Sequence, residues 1–72
     1  MNFLKLTQPS LSNGIIKEQT IYVNPHHIKE FQRIYADYLK IEVTIIYWAI
    51  GGFSQTSVLE TPEEINHQLI AC

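Results

Sequence analysis

Three sets of residues in this sequence are of types that could do chemistry, and each has a plainer structural use. His26, His27, His67 and Cys72 are metal-ligating types. Adjacent histidines point in different directions in either a helix or a strand, so His26 and His27 cannot form the i, i+4 pair of a helical zinc site. They read as exposed turn residues, and no metal ion and no cofactor is expected. Cys72 as a nucleophile would need a base, an orienting third group and a pocket, which a chain-terminal position does not normally have. Glu60, Glu63 and Glu64 lie close enough in sequence for paired-carboxylate acid–base work. However, acidic residues in a helix's first turn complement its dipole, and Thr61-Pro62-Glu63-Glu64 has the form of a capping box, which gives Glu64 a structural role. Gly51-Gly52 lacks the flanking pattern of a phosphate-binding loop and reads as a turn. No catalytic residue is therefore assigned, and the chain reads as non-enzymatic.

Aromatic side chains are the enriched feature: Tyr22, Phe31, Tyr35, Tyr38, Tyr47, Trp48 and Phe53. Rings that stack bases need basic neighbours, and here the lysines and arginines are remote in sequence from Tyr47 and Trp48. Five Lys+Arg against seven Asp+Glu give a net charge of −2 with no basic run, which disfavours phosphate-backbone binding. Core packing absorbs part of the aromatic set, and the remainder suggests a protein–protein surface or a homo-oligomer interface, where Tyr and Trp are favoured. Tyr47, Trp48, Tyr22, Tyr35 and Tyr38 are the candidate protein-contact residues.

The elements that position these rings must come from 72 residues, 46% of them hydrophobic and 17% charged, which make a single domain spanning 1–72. A chain of this size buries only about 60% of its unfolded surface, so self-association is a reasonable expectation. One cysteine cannot form an intramolecular disulfide and fits a reducing cytoplasm. The opening Met1-Asn2-Phe3-Leu4-Lys5-Leu6 lacks the basic and long apolar regions of a signal peptide. The longest apolar stretch, Val43 to Ile50, is far short of the roughly 20 residues of a membrane-spanning helix. A cytoplasmic protein that does not cross a membrane is expected.

Phe3 to Thr7 reads as a strand, followed by a loop through Asn13-Gly14. From Ile15 to Asn24 a period of two places Ile15, Lys17, Gln19, Ile21 and Val23 on one face and Tyr22 on the other. The segment from Asn24 to Lys40 has conflicting signals. Asn24 as N-cap, Pro25 at the first helical position, and Ile28, Phe31, Tyr35, Tyr38 and Leu39 at helical spacing predict a helix over 25–40. The competing reading makes Asn24-Pro25-His26-His27 a turn, Ile28 to Tyr35 a strand and Tyr35 to Lys40 a hairpin connection. Glu42 to Ile50 is the clearest strand; both its faces are apolar, so it is central in a sheet or offers its second face to a partner. Gly51-Gly52 turns it into a second strand from Phe53 to Leu59. After the capping box, Ile65 and Leu69, with Ile70 beside them, form the stripe of a two- to three-turn helix packed on one face of the sheet.

In chain order, Leu4-Lys5-Leu6-Thr7, Ile21 to Ile28 (IYVNPHHI), Thr44-Ile45-Ile46-Tyr47 and Val58 to Ile65 (VLETPEEI) resemble the small flagellar FlbD-type proteins. Those carry an opening I-x-L-T, then V-N-P-x-x-I, a hydrophobic hairpin and a closing V-x-E-[ST]-P-E-E-[IV]. The stretch from Arg33 to Val43 is longer here, and Gly51-Gly52-Phe53 replaces an Asn-Gly or Asp-Gly turn. The resemblance implies that the segment after Pro25 continues as a strand. It also implies an α+β fold, a small bent antiparallel sheet of four to five strands with a short C-terminal helix. Leu4, Leu6, Ile21, Val23, Ile28, Ile45, Val58, Ile65 and Leu69 would then form the core. It further implies a non-enzymatic accessory protein of bacterial motility, although similar small proteins also occur in genomes without flagella and in mobile elements.

The resulting expectation is a small interaction module that binds another protein through a sheet edge or the Tyr47/Trp48 region. The alternatives are a phage- or mobile-element-encoded inhibitor that occludes a host protein, and a nucleic-acid-binding module of sheet-plus-helix type.

Overall fold

Asn13 and Gly14 both take positive φ, 52° and 76°, as a two-residue hairpin turn of the I′ kind requires. In the computed structural model, which describes residues 3–49 and 54–71, they join β1 (Leu4–Ser12) to β2 (Ile15–Val23). The two strands pair antiparallel in one unbroken register, from Leu4 opposite Val23 to Ser12 opposite Ile15.

The disputed segment resolves as turn and strand. The Asn24 side chain accepts a hydrogen bond from the His26 amide at 3.0 Å, and Pro25 opens a single 3-10 turn, Pro25–His27. The chain then returns to extended backbone at Ile28 and forms β3 (Ile28–Ala36), paired with β4 (Ile41–Trp48). The helix predicted over 25–40 is therefore not formed. Its periodicity is real, but the adjacent β-branched run of β4 offers a ladder after only four intervening residues, and cross-strand pairing overrides local spacing. The connection keeps one helical feature. The amides of Leu39 and Lys40 both bond the Ala36 carbonyl, at 3.1 and 2.7 Å, and Lys40 takes a φ of 58°. This fold-back tucks Leu39 into the interior.

β5 (Gln55–Val58) pairs with the other side of β4, giving a three-stranded sheet of order β3-β4-β5 beside the two-stranded β1-β2 sheet. The described residues thus form an α+β fold of five strands and one helix, α1 (Pro62–Ala71). The expected Gly51-Gly52 turn, the Phe53 start of the last strand, and Cys72 lie outside the described residues. At the start of α1 the capping box forms in both directions. The Glu64 amide donates to Thr61 Oγ1 and the Thr61 amide to Glu64 Oε1, each at 3.1 Å. Ile65 is fully buried and Leu69 packs beside it, whereas Ile70 is 76% exposed and leaves the stripe. Five residues along a helix rotate a side chain well off the face set by Ile65, while four bring it back.

Alternation along β4 divides the interior in two. Ile46 joins Leu4, Leu6, Val58 and Ile65 on one face, with Ile21, Val23, Ile28, Phe31, Trp48 and Leu69 packed around them. Val43 and Ile45 face the other way and join Ala36 and Leu39, covered by Ile16, Ile41, Tyr47 and Leu59. Ile45 is buried as expected but belongs to the second cluster. Its neighbour Ile46 fills the place assigned to it, since a shift of one residue reverses the face. Each fully buried Leu, Ile or Val contributes about 1.5–3 kcal/mol. Both apolar faces of β4 are therefore covered by the chain's own side chains.

Polar bonds close the seam between the sheets. The Leu59 amide donates to the Thr7 carbonyl at 2.8 Å, and the Glu60 carboxylate accepts from the Thr7 amide and hydroxyl at 2.8 and 3.0 Å. The Gln68 carboxamide pairs with the Lys5 main chain, accepting from its amide and donating to its carbonyl, both at 3.0 Å. The next outward position of β1 is Pro9, which has no N–H to satisfy. On the inner side, Thr44 is completely buried, and its hydroxyl donates to the Glu60 carbonyl while accepting from Arg33 Nη1. Arg33 Nη1 also reaches the carbonyls of Leu59 and Glu60, at 3.2 and 3.3 Å. Every buried polar side-chain atom among the described residues has a partner.

Candidate functional site

The most solvent-open ring in the first half of the chain, Tyr22, stands at the end of β2, on the face of the hairpin opposite Leu4 and Leu6. It is 66% exposed. Beside it the chain turns through Asn24 and the 3-10 turn, whose His27 carbonyl accepts from the Ala49 amide at 2.8 Å. That bond ties the turn to the end of β4 and brings Trp48 alongside. Trp48 is half-buried against the first cluster, and its indole Nε1–H donates to Thr56 Oγ1 at 3.0 Å. Tyr22, Val23, Asn24, His27, Trp48, Ser54, Gln55 and Thr56 line an open groove of about 590 Å³.

Among the described residues the lining contains no Lys, Arg, Asp or Glu. It therefore offers apolar ring surface with neutral amide, hydroxyl and imidazole groups, and no cation to hold a phosphate. Since the indole N–H is already bonded inside the chain, Trp48 contributes ring surface rather than a free donor.

The five candidate contact residues do not share one surface. Tyr22 and Trp48 meet at the groove. Tyr47 alternates to the other face of β4 and packs on the second cluster. Tyr35 and Tyr38, 57% and 61% exposed, lie at the opposite end of the β3–β4 hairpin. Asn24 and His27 are groove residues that the aromatic pattern did not single out; the Asn-Pro turn that positions them was visible in the sequence.

His26 and His27 are exposed in the 3-10 turn and His67 is exposed on α1. Among the described residues no three His, Cys, Asp or Glu side chains are grouped to hold a metal ion. Glu60 holds β1, and Glu63 is exposed. The hydrogen bonds of Glu64 to the Thr61 main chain and then to its side chain, assisted by the Arg33 charge, hold its carboxyl below the ordinary value of 4.5. Arg33 as the clamp on residues 59 and 60 was missed. An arginine in an alternating strand gives no sign of whether it points to solvent or to a carbonyl cluster.

Comparison with known protein families, with curated proteins and with solved structures finds no match. Among the described residues no helix is long and apolar enough to cross a membrane.

Proposed function

We propose that the chain is a small non-enzymatic protein-interaction module that binds its partner in the groove between the end of β2 and the β4–β5 pair. The observation that carries this reading is the exposed Tyr22 ring set beside Trp48 over a lining without formal charge. Aromatic residues of this kind supply large contact areas at low entropic cost and dominate protein interfaces. The resemblance to FlbD-type proteins supports a role as an accessory factor in bacterial motility, acting in the cytoplasm.

The test compares proteins captured from host lysate by the wild-type chain, by Tyr22→Ala and by Tyr35→Ala, another exposed tyrosine away from the groove. A specific protein held by the wild type and by Tyr35→Ala but lost with Tyr22→Ala is expected. Equal capture by all three removes the groove from the interface. A captured motility component fits the accessory role, whereas a captured enzyme that loses activity on binding marks the chain as an occluding inhibitor instead.

A further inference from the structure

The β1–β2 hairpin has two outer edges, and their hydrogen-bonding states differ. The main-chain groups of Lys5 and Thr7 point away from β2, because Gln68, Glu60 and Leu59 bond them. Lys5–Tyr22 and Thr7–Thr20 are therefore the pairs of the ladder that exchange no hydrogen bonds. By alternation Ile16, Glu18, Thr20 and Tyr22 turn their own N–H and C=O groups outward from β2. Glu18, Thr20 and Tyr22 are exposed, and among the described residues no backbone bond reaches this outer row. The other outer strand, β3, is interrupted by a bulge between Ile28 and Glu30, a device that blunts an edge. β2 runs nine residues without a bulge or a cap.

An open edge of this length is a template for another strand. We propose that β2 of a second copy of the chain occupies it, antiparallel about a two-fold axis at Gln19, so that the two hairpins form one continuous sheet. A two-fold axis perpendicular to the sheet sets residues of equal parity opposite each other. The register that pairs the whole of Ile15–Val23 end to end places Gln19 against Gln19 of the second copy. Glu18 then faces Thr20 and Ile16 faces Tyr22, and these are the residues whose main-chain groups point outward, so each such pair exchanges two hydrogen bonds. Sliding the register toward the turn sets Glu18 and then Lys17 against itself, which like charges oppose. Sliding it the other way shortens the ladder. The register centred on Gln19 is thus the longest one, and it has no charge conflict at its axis. It goes beyond the groove reading and does not depend on it.

The test is light scattering over a concentration series, with far-UV circular dichroism to establish folding. The wild type is expected to dimerise with rising concentration. Gln19→Lys and Gln19→Glu, each placing like charges opposite one another, weaken the dimer about fivefold or more. An equimolar mixture of the two variants restores it, because the charges are then opposite. Thr20→Pro removes an outward N–H from each copy and weakens association about tenfold; should it fail to fold, the Gln19 pair decides. A wild type that stays monomeric throughout overturns the proposal, as does a dimer indifferent to the Gln19 variants or a mixture no tighter than either variant alone. A dimer lost with Trp48→Ala but untouched at Gln19 overturns it in favour of self-association through the groove.

Discussion

The two faces of β4 are buried by different means. One face, centred on Ile46, is closed by groups from both ends of the chain, Leu4 and Leu6 from β1 and Ile65 from α1, and is sealed by a polar seam of Thr7, Arg33, Thr44, Glu60 and Gln68. The other, centred on Val43 and Ile45, is closed partly by near neighbours, Ala36, Leu39 and Ile41, with Ile16 and Leu59 added from further away. Closure of the first face is a long-range event that requires the helix, while much of the second comes with the β3–β4 hairpin itself. The helix is therefore the keystone of one face and nearly irrelevant to the other.

The largest effect expected to test this contrast comes from Ile65→Ala. Truncating this fully buried residue leaves a cavity under the helix and costs about 3–5 kcal/mol in urea unfolding, and the Lys5 amide should lose its protection from hydrogen exchange as Gln68 is released. Leu39→Ala should cost less, about 2–3 kcal/mol, and leave Lys5 protected. If Leu39→Ala exposes Lys5 to the same degree, the two faces are one cooperative unit and the contrast fails.

Thr44→Val is next in size. It keeps the shape of the side chain but leaves the Glu60 carbonyl and Arg33 without the hydroxyl between them, at a cost of about 1–3 kcal/mol measured by urea midpoint. The seam predicts this loss, since the valine itself is as apolar as the neighbours Val43 and Ile45.

The elements of the first face were legible from the residues in unequal measure. The capping box at Thr61–Glu64 and the Asn13-Gly14 pair were readable because each is a local device whose residues are adjacent and whose geometry allows few substitutes, but the loop expected after Thr7 is strand: β1 continues to Ser12, paired residue by residue with β2. The middle segment was ambiguous for a physical reason. Ile28, Phe31, Tyr35 and Leu39 satisfy a helical period while also fitting a strand followed by a turn, and only the partner strand decides between them. The assignment of Ile45 rather than Ile46 to the first cluster shows the same dependence, because an all-apolar strand contains no alternation from which to choose a face. The groove was half-legible: Tyr22 and Trp48 were singled out, but that they meet, and that Tyr35, Tyr38 and Tyr47 do not join them, follows from pairing between remote segments. Likewise, the grip of Glu60 on Thr7 spans residues that no local pattern connects.

The smallest expected effect concerns pH. The folded chain holds the Glu64 carboxyl below its ordinary 4.5, so the unfolded chain binds the proton more readily. The stabilisation is fully present above that ordinary value and is lost as pH falls through the lowered one. Glu64→Gln can still accept the bond from the Thr61 amide and keeps the cap. Its urea midpoint should therefore fall less on acidification than that of the wild type, and identical acid profiles would show that the charge at this position contributes nothing.

The bonds between Lys5 and Gln68 and between Thr7 and Glu60 join residues 63 and 53 positions apart. During synthesis, the β1–β2 hairpin emerges with both of its borders bare, and the groups that will seal β1 follow only 53 to 63 residues later. Through that interval the growing chain has two open strand borders, and only the arrival of Leu59, Glu60 and Gln68 reduces them to one.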